Sequence, residues 1–69
     1  MTYAVLLEKT ATGYSAYVPD LPGCMAAGAT REETTDLMRK AIKMHLDGMR
    51  EDGDPIPEPR TIAESITAA

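Results

Sequence analysis

The chain has no Phe and no Trp, one Cys and one His. A lone Cys excludes an internal disulfide and fits a reducing cytoplasm. One His with one Cys cannot close a zinc site without carboxylates, so no metal or cofactor is expected. Basic residues are also short: seven Lys and Arg stand against eleven Asp and Glu, for a net charge of −4 and a pI near 4.7. A phosphate backbone asks for a basic footprint, so direct nucleic-acid binding is not expected, whereas a basic protein partner is favoured. No apolar run approaches the ~18 residues of a membrane span. The start, Thr2 to Glu8, lacks a basic region and is too short for a signal peptide, so a cytoplasmic location is expected. The glycines are isolated and form no phosphate-cradling loop.

What remains is one small domain. Sixty-nine residues bury little of their surface, and the apolar share, 43%, rests on Ala, Met and aliphatic residues with three Tyr. The core is therefore thin, and size alone points to a homodimer or a higher homo-oligomer.

Alternation predicts a strand over residues 2–9, with Tyr3, Val5 and Leu7 on one face and Ala4, Leu6 and Glu8 on the other. Residues 10–13 form a turn ending in Gly13, suited to a left-handed position. A second strand follows over 14–18, in which Tyr14, Ala16 and Val18 alternate with Ser15 and Tyr17. Pro19 and Pro22 deny two ladder donors and end it. The corner Val18-Pro19-Asp20-Leu21-Pro22-Gly23-Cys24 leads to a third, small-residue strand over 24–29.

Thr30-Arg31-Glu32-Glu33 is a capping box, and Glu32, Glu33 and Asp36 place negative charge at the positive end of the helix dipole. The helix is expected over 31–52, stopped by Gly53 and Pro55. Helical spacing sets Thr34, Met38, Ala41, His45 and Met49 on one stripe, flanked by Leu37 and Ile42, and Asp36–Lys40 has favourable i,i+4 polarity. The helix has a wider apolar surface than one sheet needs. Met44 and Leu46 on its opposite shoulders, with His45 on the stripe between them and Tyr3 or Tyr17 on the outer sheet face, are the candidate subunit interface. Residues 54–59 carry three alternating prolines and read as an extended linker. A helical turn over 61–64 and a short last strand over 65–67 complete the α+β reading.

Catalytic readings find little support. His45 lies mid-helix with no nucleophile or base beside it in sequence. Nothing near Cys24 is basic enough to activate its thiol. A two-metal nuclease needs several convergent acids, and only Asp20 and Glu8 come from the sheet half. The three Tyr lack the basic surround of a base-stacking platform.

The hairpin, the Val18–Cys24 corner, the Thr-x-x-Glu helix start and the run from Ala41 through Pro59 together resemble the HicB-like antitoxin domains of toxin–antitoxin systems, from about Tyr3 to Ile66. The resemblance implies a β-β-β-α-β order, similar to a reduced RNase H core without its catalytic acids. It implies a non-enzymatic module that binds a small basic RNA-cleaving toxin, HicA, and blocks its active site. Pro19, Asp20, Leu21, Pro22, Gly23 and Cys24 match the family's turn between strands two and three. Thr30 and Glu33 match its helix start, His45 and Leu46 its helix end, and Pro55, Pro57 and Pro59 its linker. All carry over as structural residues. Longer members add a DNA-binding domain, for which a chain ending at Ala69 is expected to have no room. The competing readings are an orphan interaction domain of the same fold and, last, a metal-dependent nuclease using Asp20 and Glu8.

Overall fold

A computed structural model describes all 69 residues. It places three short strands, β1 (Leu6–Lys9), β2 (Tyr14–Tyr17) and β3 (Met25–Gly28), ahead of one long helix, α1 (Arg31–Asp52). The strands form an antiparallel meander in the order β1-β2-β3. Leu6 faces Tyr17 and Lys9 faces Tyr14 in one pair; Tyr14 faces Gly28 and Tyr17 faces Met25 in the other. The helix lies across one face, mainly against β3 and β2. This is the expected α+β arrangement of three strands and a helix.

The first strand is shorter than its alternation suggests. Residues 2–5 lie outside the ladder because β2 stops at Tyr17, just before Pro19, and leaves them no partner. The β1–β2 turn closes through the Thr10 amide on the Gly13 carbonyl at 2.8 Å. Gly13 is not left-handed as expected; the positive-φ glycines are Gly23 and Gly53. It is needed for space instead, since a Cβ there would fall 2.2 Å from the Gly28 carbonyl oxygen.

The helix starts and stops as its sequence dictates. Thr30 Oγ1 accepts from the Glu33 amide at 3.1 Å, and Glu33 Oε2 reaches back to the Ala29 amide at 3.0 Å, one residue earlier than a standard capping box. Gly53 takes φ 73°, and the Asp54 amide caps the Met49 carbonyl at 2.9 Å. On the wet face Asp36 pairs with Arg39 at 2.6 Å rather than with Lys40, and Asp47 takes Lys43 and Arg50 at 2.7 and 3.3 Å. The longer, forked guanidinium reaches Asp36 one position sooner. Such exposed pairs add little to stability.

The core is five buried apolar residues: Ala16, Val18, Leu21, Cys24 and Met38. Thr34 is buried with them, its hydroxyl donating to the Thr30 carbonyl at 2.7 Å. Tyr3, Val5, Leu7, Ala26, Ala41, Ile42 and Leu46 pack around it. The helical stripe thus leans further toward Ile42 and Leu46 than the sequence spacing placed it, following the i,i+4 row from Met38.

The last elements of the sequence reading do not form. Residues 61–64 make no helical turn and 65–67 no strand. A single turn cannot repay helix nucleation, and three residues without a ladder partner cannot repay the entropy of ordering them. Residues 62–69 are exposed, Ile66 to 87%. No helix is long and apolar enough to cross a membrane.

Candidate interaction surface

The corner from Val18 to Cys24 is built by three backbone hydrogen bonds. The Leu21 amide donates to the Val18 carbonyl at 3.1 Å, the Cys24 amide to Leu21 at 3.0 Å, and the Val18 amide to Cys24 at 3.2 Å. Gly23, at φ 85°, supplies the left-handed step that closes the second turn. Pro19 and Pro22 stiffen the path. The result drives Leu21 inward until it is fully covered, with Val18 and Cys24 beside it. A loop therefore supplies three of the five core side chains.

Asp20 points the other way and holds the chain's far end. The Arg60 and Thr61 amides donate to its Oδ2 at 2.9 and 3.0 Å, and the Thr61 hydroxyl donates to its Oδ1 at 2.8 Å. The two Thr61 and Arg60 amide bonds, then the hydroxyl, hold its carboxyl below the usual carboxylate range. A second tie lies nearby, from the Tyr3 hydroxyl to the Pro57 carbonyl. The linker around Pro55, Pro57 and Pro59 is thus tied to Tyr3, ahead of β1, through Pro57 and to Asp20, beyond β2, through the residues that follow it. Sequence spacing gave no sign of the Asp20 clamp, because its partners lie forty residues away.

The groups considered for chemistry do not converge. Asp20 has both carboxylate oxygens engaged and lies beyond the end of β2, whereas Glu8 sits opposite Ser15 within the edge strand β1. No three His, Cys, Asp or Glu side chains cluster where they could share a metal ion. Cys24 is buried, and that burial pushes its thiol up, away from the reactive thiolate.

The expected interface residues divide into two groups. Tyr3 and Leu46 pack against the core, each staying partly exposed. Tyr3 turns inward because residue alternation puts it with Val5 and Leu7, and Leu46 because it continues the Met38–Ile42 row. Tyr17, Met44 and His45 remain on the surface, Tyr17 at 41% and Met44 at 74% exposure, with His45 half-buried. Tyr17 lines a groove of about 420 Å³ across β2 and β3, with Met25 and Ala27. Met44 and His45 line another, of about 360 Å³, with Gly23, Met25 and Ala41. Met25 belongs to both grooves and was missed from sequence; its signal was one large apolar side chain in an otherwise small-residue strand.

Against known proteins, residues 3–69 match the family model described as the HicB-like antitoxin of bacterial toxin–antitoxin systems. The chain is 39% identical to an uncharacterised 14.9 kDa protein of Haemophilus phage HP1, over 96% of this chain and 50% of that one. It is 35% identical to Antitoxin HicB 2 of Photorhabdus laumondii, over 96% of this chain and 48% of that one. It spans about half the length of both. A protein of family UPF0150 from Thermoplasma acidophilum is also 35% identical, over 97% of this chain and 96% of its own length. Among solved structures, a chain of the HicA3 and HicB3 toxin–antitoxin complex superposes with a TM-score of 0.73 at 30% identity, covering 86% of this chain and 70% of that one. With a family model matched over residues 3–69, a HicB antitoxin relative and a solved chain of the same fold, the chain belongs to the HicB-like antitoxin family.

Proposed function

We propose that this chain is an antitoxin module that neutralises a small, basic, mRNA-cleaving toxin of the HicA type by covering its active site. The observation that carries the reading is the match to a chain of a toxin–antitoxin complex along 86% of this molecule. Charge is consistent with it: a net −4 steers a basic partner toward the domain, while buried apolar contacts would hold it. The module works without catalysis, cofactor or metal, as a homo-oligomer in the cytoplasm. Its corner and helix cap serve shape, because the side chains of Asp20, Thr30 and Glu33 are each engaged in internal hydrogen bonds.

The test is co-expression with the small basic reading frame next to this gene. The toxin alone should arrest growth and cleave RNA, and an equimolar amount of this chain should stop both. If no such neighbour is toxic and no ribonuclease is inhibited, the antitoxin reading fails for this chain.

A further inference from the structure

We infer that the groove between the start of β3 and the middle of α1 is a site for a soft monovalent metal ion, copper(I), held by Cys24, His45 and the thioethers of Met25 and Met44. The inference goes beyond antitoxin action, which needs no metal, and it does not depend on a toxin.

The first observation is which residues meet. The chain has one Cys, one His and five Met among its 69 residues. The only Cys, the only His and two of the Met line a single groove of about 360 Å³, completed by Gly23 and Ala41. They come as two adjacent pairs: Cys24-Met25 where the corner enters β3, and Met44-His45 on α1, which packs chiefly against β3. Gly23 and Ala41 have little or no side chain, so the space between the pairs stays open.

The second observation is that the donors are free. Cys24 is only 4% exposed yet forms part of the groove wall, and its thiol is in no disulfide and no hydrogen bond. His45 is half-buried, and no hydrogen bond or ion pair engages its ring. A neutral imidazole always carries one nitrogen lone pair for a ligand. Met25 and Met44 are 66% and 74% exposed, so their thioethers can turn into the groove without disturbing the core.

The third observation is donor chemistry, and it selects the ion. A Cys and a His alone close no zinc site, and no third His, Cys, Asp or Glu stands with them. Thioethers change the set, because thiolate and thioether sulfur together favour copper(I) over the harder divalent ions. The groove holds no carboxylate to attract a hard cation and no Lys or Arg to repel a soft one. Binding is an exchange without oxidation or reduction. Copper(I) bonds to Cys24 Sγ, the thiol proton leaves to solvent, and a neutral thiolate–copper(I) pair replaces a neutral thiol. A divalent ion would leave a net charge beside the core, at a desolvation cost that copper(I) avoids.

The experiment is anaerobic titration of the full chain with copper(I) against a chromophoric copper(I) chelator. Near-ultraviolet absorption of the thiolate–copper(I) bond is a second readout, and a chain without Trp gives it a low background. The parent should bind one ion per chain. Met44→Leu and His45→Ala should each weaken binding about tenfold or more, since disturbing even the groups behind a metal's ligands costs about 10–100-fold. Cys24→Ala should abolish the near-ultraviolet band. Should that core variant fail to fold, Met44→Leu decides, because Met44 is mostly exposed and its loss spares the fold. Met49→Leu, outside the groove, should bind as the parent does. A parent that binds no copper(I) overturns the inference. So does binding unchanged in both Met44→Leu and His45→Ala, or binding that Met49→Leu weakens equally, or displacement of the copper(I) by an equal concentration of zinc(II). A chain that binds copper(I) but inhibits no toxin would sink the antitoxin reading and leave this one standing; a chain that inhibits a toxin but binds no copper(I) would do the reverse.

Discussion

Leu21→Ala is the sharpest test of how this domain is held together. Leu21 is fully covered, although it lies in a loop, and it is one of only five buried apolar residues. Truncation removes the transfer free energy of three carbons and leaves a cavity that the corner cannot readily close. Two prolines and the three backbone hydrogen bonds around Leu21 resist its collapse. Comparable core truncations cost about 2–5 kcal/mol. A domain of this length has about 3–10 kcal/mol in total, so the substitution should consume roughly a fifth of it at the least and, toward the low end of that range, all of it. At about 4–8 °C per kcal/mol, a 3 kcal/mol loss lowers Tm by roughly 12–24 °C. Thermal and urea unfolding at one fixed protomer concentration would measure it, because self-association would make Tm depend on concentration. Ile62→Ala, on the exposed tail, is the matched control and should shift stability by less than about 0.5 kcal/mol. A Leu21→Ala loss below about 1 kcal/mol would refute the argument that the corner carries the core.

Four further outcomes follow from individual contacts. Asp20→Asn should free the C-terminal segment: the Arg60 and Thr61 amides should exchange faster while the α1 amides keep their protection, and equal loosening of both would contradict the clamp. The same clamp sets a pH dependence. The Asp20 carboxyl is lowered in the fold, so its contribution is complete above the ordinary value near 3.9 and fades as pH falls through the lower folded value, which NMR titration of the Thr61 amide would follow. Gly13→Ala should destabilise by about 1–3 kcal/mol through the close Gly28 carbonyl, whereas Gly48→Ala, in open space mid-helix, should stabilise by about 0.5–1 kcal/mol; chemical denaturation of the pair checks both signs. Thr30→Ala should cost about 1 kcal/mol by removing the bond to the Glu33 amide, and an unchanged midpoint would show that the cap is redundant.

Local chemistry was the legible part of this fold. The helix from Arg31 to Asp52 could be read because both ends are marked within a few residues, by Thr30 and Glu33 and by Gly53. The sheet's inner face could be read because alternation puts Tyr3, Val5, Leu7, Ala16 and Val18 on one side. What depends on distant partners could not. Residues 65–67 have strand propensity, but propensity does not say whether an edge is there to receive them. Leu46 looked like surplus apolar surface because its neighbour in space is the sheet, and the stripe's lean toward Ile42 is set by packing angle. The Asp20 clamp joins residues separated by forty positions, and Met25 gains meaning only when β3 is seen to be an edge.

These features bear on how a domain with so little interior keeps its shape. Five buried apolar residues and an apolar outer sheet face are two aspects of one allocation: side chains that could have filled a core instead line the surface. A ligand that binds only the folded state adds stability by mass action, about 2.7 kcal/mol when present at a hundred times its Kd. For a chain whose whole stability is of that order, docking and folding become thermodynamically coupled. The rigid corner then has a specific role in that coupling. By holding Leu21 in and Asp20 out, it fixes the start of β3, and with it the position of Met25, before any partner arrives. A partner that docked at this edge would meet it preformed and need not pay to order it, so a modest apolar area would go further toward affinity.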